Sequence, residues 1–260
     1  MYGRNEVTMT LTNREPAAVP RTAATVLLLR DDPFEVLMVR RRRGGTFSSA
    51  LVFPGGKVEP HDSDAAWLAH LAGAEEFDDE QRTLRVAAVR ETFEEASILI
   101  GGAAGTAASG IDRALGLRAA VAAAGAVLDL ALLHPFARWI TPELEPRRFD
   151  THFFLAAMPE GQTANQDDDE TVAFEWVSPA AAVARAEAGE QSILFPTMMN
   201  LRRLAESADT ASALAAADQR EIVTVRPVLE PHPDGFQVTI DPAAGYGSGG
   251  HVIPRLTTGP

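Results

Sequence analysis

Cysteine is missing altogether from these 260 residues, so neither a disulfide framework nor a thiol nucleophile is available. Positive charge is scarce: 23 lysines and arginines face 36 acids, leaving a net −13 and a pI of about 4.9. That balance argues against a nucleic-acid surface, which needs a basic patch. A small phosphorylated substrate stays open, because local arginines or a metal can attract it inside an acidic whole. No apolar run reaches the roughly eighteen residues of a membrane span. Neither a signal peptide nor a C-terminal Ser-Lys-Leu is present, and the expectation is a cytoplasmic protein. What the chain does have is 46% hydrophobic residues, enough for one large domain with a sizeable core.

Residues 1–20 are polar with two prolines and read as a mobile arm. Two apolar runs, Thr25–Arg30 and Glu35–Arg40, flank Asp31-Asp32-Pro33 as in a hairpin. Residues 64–78 look helical and loop-like, and 81–99 reads as a helix that buries Leu84, Ala88, Phe93 and Ile98. Two short helices are expected near 111–123 and 128–134, then strands at 137–141, 149–158 and 171–177. Ser178-Pro179 and Phe195-Pro196-Thr197 open further helices, with another at 209–217. In the tail, Ile222–Val225 and Phe236–Ile240 alternate around Pro231–Gly235 and predict a second hairpin. The tail would cover a cleft, pair with another subunit, or be a surface appendage.

The most informative stretch is Arg90-Glu91-Thr92-Phe93-Glu94-Glu95. At about 100° per residue, Glu94 and Glu95 fall on either side of Glu91, one turn along the same helix face. Acids at that spacing repel by a few tenths of a kcal/mol per pair, so convergence calls for a cation. Mg²⁺ takes carboxylates together with substrate phosphate oxygens. The bland alternative is a solvated acidic face. Upstream, Phe53-Pro54-Gly55-Gly56-Lys57-Val58-Glu59 ends a short strand in two glycines that permit close backbone approach to a ligand, and Asp62 follows.

Taken together these residues resemble the signature of the Nudix hydrolases, G-x5-E-x7-R-E-U-x-E-E-x-G-U. Gly56 opens the box and Arg90, Glu91, Glu94 and Glu95 supply its catalytic half. Asp62 stands at the first Glu, about twenty extra residues separate it from Arg90, and Ser97 replaces the closing glycine. A box split in this way is similar to the Nudix branch that contains the peroxisomal acyl-CoA diphosphatase of mammals. Leu37–Arg40, Trp139–Pro142, Arg147–Leu155 and Phe174–Pro179 agree with that branch. The resemblance implies an α/β/α sandwich with a mixed central sheet at 21–217, a helical insertion at about 63–81, and a C-terminal β-hairpin extension at 218–260. Lack of cysteine weighs against the isopentenyl diphosphate isomerase relatives of the fold.

The resemblance also implies roles. Glu94 and Glu95, with the Gly56 carbonyl, would hold Mg²⁺ or Mn²⁺, and Glu91 would be a further ligand or the base. Arg90 would orient Glu91 or pair with Glu94 at i+4. Glu170 would add an acid from a loop, with Asp167, Asp168 and Asp169 as competitors. Gly55, Arg40 and Arg43 (or Arg42), and Arg147 and Arg148 would contact substrate. Arg40 matches the arginine of the CoA-type motif, while Arg41, Gly45 and Ser49 depart from it. ADP-ribose, NADH and nucleotide sugars therefore stand beside CoA or acyl-CoA as substrates, and a non-hydrolytic nucleotide sensor beside the enzyme. Trp139, Phe149 and Trp176 read as core, and His61, His134 and His152 lack zinc-type spacing. A homodimer is possible by the same resemblance.

Overall fold

The apolar runs around Asp31 become antiparallel strands β1 (Arg21–Arg30) and β2 (Glu35–Arg41) in the computed structural model, which describes residues 18–41, 50–101, 116–164, 171–247 and 250–253. Asp32 turns the chain at φ 58°, a region that aspartate enters more readily than most residues. Arg30 braces the turn by donating to Glu35 at 2.9 and 2.6 Å. Strand β3 (Leu51–Val52) adds to β2, and β4 (Gly55–Lys57) pairs with the first half of β1.

A 3₁₀ turn at Pro60–Ser63 carries Asp62, and the insertion that follows holds two more, Ala65–His70 and Ala74–Glu76, and a two-residue strand β5 (Leu71–Ala72). The box helix α1 (Asp79–Ala96) starts where Asp78 accepts from Gln81 N at 2.7 Å and stops where Ser97 takes φ 59°. Ser97 thus adopts the left-handed conformation that glycine normally supplies. Leu84, Ala88, Phe93 and Ile98 are buried as expected, but so is every residue from Leu84 to Arg90.

After α2 (Leu117–Ala123), the expected helix at 128–134 is overturned. The chain forms β6 (Leu128–Asp129), one 3₁₀ turn at Leu130–Leu132, and then β7 (His134–Ile140). Asp129 accepts from Ala131 N and closes a single turn, while Leu128 pairs with Leu71. Burying Leu128, Leu130 and Leu133 outweighs their helical propensity. The expected helix at 111–123 is present from Leu117, and 111–115 lie outside the described residues.

The remaining elements are β8 (Phe149–Ala157), β9 (Thr171–Val177), α3 (Pro179–Glu187), α4 (Phe195–Leu204), α5 (Thr210–Asp218), β10 (Thr224–Val225), β11 (Val228–His232), β12 (Gly235–Thr239) and β13 (His251–Ile253). The tail hairpin is β11 with β12, so the expected partner Ile222–Val225 is corrected. Its Thr224 and Val225 instead run parallel to β7, where Val225 is fully buried, and Pro227 separates them from the hairpin.

The eight-stranded main sheet has the order β10-β7-β8-β1-β2-β3, with β4 also on β1 and β9 also on β2. It is mixed, since β8 runs parallel to β1 over nine residue pairs while β7 is antiparallel to β8. Val26 and Leu28 face the core under α1 and α2, and Leu27 and Leu29 face the core under α4 and α5. Burial on both faces is why that run is continuous rather than alternating. The sandwich is therefore helix, sheet, helix. Tyr246 pins the tail to the second face: its hydroxyl donates to Asn200 at 2.5 Å, accepts from Trp139 Nε1 at 3.2 Å, and its ring carries the Arg203 guanidinium.

His152 on β8 is a weak point in this packing. Its Nε2 is buried without a protein hydrogen-bond partner, 3.7 Å from Asp150. Burial, then Arg138, pushes its pKa below the ordinary value of 6.5. The unfolded chain therefore takes up a proton near 6.5 that the folded chain refuses, and stability falls as pH drops below 6.5. His152→Phe is expected to remove that acid-side loss and to stabilise the fold by about 1 kcal/mol at neutral pH. Urea unfolding at pH 7.5 and 5.5 measures both effects. A variant that loses stability as steeply as wild type on acidification contradicts the assignment.

Candidate active site

Strand β4 lies so close to β1 that only glycine fits at its start. A Cβ on Gly55, where φ is 156°, would sit 2.6 Å from the Ala24 carbonyl oxygen. A Cβ on Gly56 would sit 2.4 Å from Glu91 Oε1, so the Glu91 carboxylate rests directly on the Gly56 backbone. One turn on, Glu95 Oε2 accepts from the Gly55 N–H at 3.0 Å. The glycine pair and the box helix thus meet through two carboxylates.

Arg90 organises the other side. Its Nε and Nη2 donate to Asp62 at 2.8 and 2.9 Å, and Nη2 also reaches the Lys57 carbonyl at 2.9 Å. Nη1 donates to Glu91 Oε1 at 2.9 Å and to Glu94 Oε2 at 3.0 Å. Both alternatives expected of Arg90, orienting Glu91 and pairing with Glu94, are thus filled by one nitrogen. The guanidinium is only 5% exposed. Burial alone would lower its pKa, but Asp62 and then Glu91 more than offset this and hold it above the ordinary value.

For Glu91 burial dominates and raises the pKa; Arg90 opposes this, while Glu94 and Asp62 add like-charge repulsion. Glu91 is largely enclosed, whereas the Glu94 side chain is about half exposed at 48%. The arrangement is a braced acidic face, open at Glu94 and closed at Glu91. Asp62 is the functional residue whose role the sequence did not reveal. It is buried at 2%, chelates Arg90 and accepts from Glu59 N at 2.8 Å. Its place at the first acid of the box was the available signal.

Hard oxygen donors for a divalent cation are present in Glu91, Glu94, Glu95 and the Gly56 carbonyl. The like-charge pressure on Glu91 fits such an ion. Among the described residues no group of three or more acidic, histidine or cysteine side chains is gathered closely enough to hold a metal ion by itself, so the three glutamates are aligned on one face rather than converged on one point. Glu170 and Asp167–Asp169 lie outside the described residues, as do Arg42 and Arg43.

Of the expected substrate arginines, Arg40 donates to Gln191 at 3.2 Å and lies 3.6 Å from Glu175. Arg148 donates to the Thr141 and Ala18 carbonyls at 3.0 and 2.8 Å, which secures the 141–148 loop. Arg147 is exposed on that loop. Gly55 alone of that set is brought to the glutamates among the described residues. His134 pairs with Asp218 at 2.6 Å, and His61 Nε2 lies 3.7 Å from Asp62.

A family profile described as NUDIX domain matches residues 19–108, the stretch that holds Gly56, Asp62, Arg90 and the three glutamates. A second, described as NUDT19 Nudix domain, matches residues 75–204, half of the chain. The chain belongs to the Nudix hydrolases. Its fold agrees: a NUDIX hydrolase from Alicyclobacillus acidocaldarius superposes with a TM-score of 0.62 at 30% identity, covering 76% of this chain and 96% of that one. The acyl-coenzyme A diphosphatase NUDT19 of Gallus gallus is 29% identical over 71% of this chain and 68% of its own length. Its Homo sapiens counterpart is 29% identical over 67% of this chain and 61% of its own. The Nudix hydrolase described here therefore spans roughly two thirds of the length of these curated relatives. No helix among its described residues is long and apolar enough to cross a membrane.

Proposed function

We propose that this Nudix hydrolase cleaves the diphosphate bond of a nucleoside diphosphate linked to another moiety, with CoA or acyl-CoA as leading substrate. The observation that carries the reading is the single Arg90 nitrogen that holds Glu94 together with Glu91, whose carboxylate rests on the Gly56 backbone. Three carboxylates braced on one wall supply what diphosphate hydrolysis needs from protein. Mg²⁺ or Mn²⁺, held by Glu94, Glu95, Glu91 and the Gly56 carbonyl, would polarise the phosphoryl oxygens and acidify water. Arg90 fixes the Glu91 carboxylate by a charge-assisted bond, so the group that holds the ion or takes the water proton arrives pre-oriented. Enclosure raises the proton affinity of Glu91, which suits it to accept a proton. Names of the NUDT19 relatives point to the substrate, and ADP-ribose, NADH and sugar nucleotides stand second.

The purified protein, incubated with Mg²⁺ or Mn²⁺ and each of these compounds, is expected to turn over CoA fastest. The products would be 4′-phosphopantetheine and adenosine 3′,5′-bisphosphate. Mass analysis in ¹⁸O-labelled water reports the bond broken and the phosphorus attacked. Tight binding without cleavage across the panel would replace the enzyme by a nucleotide sensor.

A further inference from the structure

Phosphoryl oxygens are commonly clamped by arginine as well as by metal, and the buried Arg90 is fully occupied. A guanidinium carries five N–H donors. Those of Arg90 are all committed: Nε and Nη2 to the two Asp62 oxygens, Nη2 again to the Lys57 carbonyl, and Nη1 to Glu91 and Glu94. It braces the glutamates and cannot turn to a phosphate without releasing one of these partners. Arg40 and Arg148 hold other partners. A protein cation for the substrate is therefore still to be assigned.

Arg90 and Glu94 line a cavity of about 250 Å³, and Arg118, in the first turn of α2, lines the same cavity. His61 joins them, so half of the wall is charged or polar, which suits an anionic occupant. The Arg118 side chain is 41% exposed and uses only Nη1, in an ion pair with Asp64 of the insertion. Its Nε and Nη2 make no hydrogen bond to any described residue. That pair of nitrogens is the edge with which Arg90 grips both oxygens of Asp62, and it matches carboxylate and phosphate alike. Asp64 is itself 43% exposed, and an ion pair so open to water opposes a change of partner only weakly.

We propose that Arg118 is a substrate-binding residue, whose Nε–Nη2 edge takes non-bridging oxygens of the diphosphate that is cleaved beside Glu94. The assignment rests on the diphosphatase reading and deepens it, by supplying the guanidinium that Arg90 cannot be. Division of labour follows: the buried arginine holds the glutamates, and the exposed one holds the phosphates. Because the contact is to the bridge, it serves every diphosphate substrate and does not choose among them.

Arg118→Ala is expected to raise KM about tenfold or more for each panel substrate that wild type cleaves, with kcat changed less than about threefold, the pattern of a contact made equally in ground and transition states. Arg118→Lys keeps a point charge without the fork, and its KM should fall between those of wild type and alanine. A merely structural role would act through the pair with Asp64, and so predicts the same loss from Asp64→Asn. That variant breaks the pair, yet its remaining oxygen still accepts from Ala66 N, a bond of 2.9 Å in the wild type. Substrate contact predicts a KM change below about threefold there, since Arg118 keeps its charge and its free edge. Independently of turnover, methylenediphosphonate titrated by calorimetry in saturating Mg²⁺ is expected to bind Arg118→Ala about tenfold more weakly than wild type, as loss of a charge-assisted contact requires. Smaller losses in Arg118→Ala, a lysine variant no better than alanine, or an equal loss in Asp64→Asn overturn the assignment. If wild type cleaves no diphosphate, the function proposed above fails, and the calorimetry still decides the role of Arg118.

Discussion

Glu94→Gln and Glu95→Gln are each expected to lower kcat by about three orders of magnitude while leaving the fold intact. Each removes a charged oxygen donor from the braced face, and a factor of 10³ corresponds to about 4 kcal/mol of transition-state stabilisation. Folding should survive for different reasons at the two positions. Glu94 is half exposed, and a glutamine there can still accept from Arg90 Nη1. Glu95 accepts from the Gly55 N–H, a bond that an amide oxygen also makes. The alternative, a merely solvated acidic face, predicts the opposite: relief of i, i+3 and i+4 repulsion would stabilise the helix by a few tenths of a kcal/mol and leave turnover alone. Initial rates with saturating Mg²⁺ or Mn²⁺, set beside urea midpoints for the same preparations, separate the two. Turnover within tenfold of wild type in both variants would remove the glutamates from the chemistry.

These glutamates were legible in the sequence because their geometry is local. Spacing along one helix places Glu91, Glu94 and Glu95 without any knowledge of the tertiary fold, although the helix expected at 81–99 runs Asp79–Ala96, starting at a cap on Asp78 that the spacing does not reveal. The strands β1 and β2 were legible for a related reason: apolar runs buried on both faces of a sheet leave no polar alternation to confuse them. What could not be read depends on partners distant in sequence. Leu128–Leu133 carries helix-forming residues, yet Leu128 pairs with Leu71, 57 positions earlier in the chain. Val225 alternates as a hairpin strand should, yet it belongs beside Trp139 in the main sheet. The role of Asp62 was hidden in the same way, because 28 residues separate it from Arg90. Its identity as the displaced first acid of the box was visible, but the bond that explains it was not.

Asp62→Ala is the change expected to damage stability most, by about 3–5 kcal/mol, because it strips the partner from a buried guanidinium. Asp62 provides both oxygens to Arg90 and also takes the Glu59 N–H at the entry to the Pro60–Ser63 turn. Its loss leaves Nη2 with only the Lys57 carbonyl, while Nη1 keeps both glutamates, so the guanidinium is drawn toward Glu91 and Glu94. A shift of about 1 Å in catalytic groups costs roughly a hundredfold in rate, and that loss should appear in kcat at temperatures where the variant is still folded. Asp62→Asn keeps the shape and one acceptor but not the charge, and should fall between wild type and alanine on both scales. Asp62→Glu restores the residue that the box usually carries, yet must place an extra methylene where the aspartate side chain is fully buried, which costs about 1–3 kcal/mol. If Asp62→Ala unfolds within about 1 kcal/mol of wild type and keeps its kcat, Arg90 does not owe its position to this carboxylate. A positioning role instead requires the two losses to rise together from asparagine to alanine, since one guanidinium links the buried acid to the glutamates proposed to hold the ion.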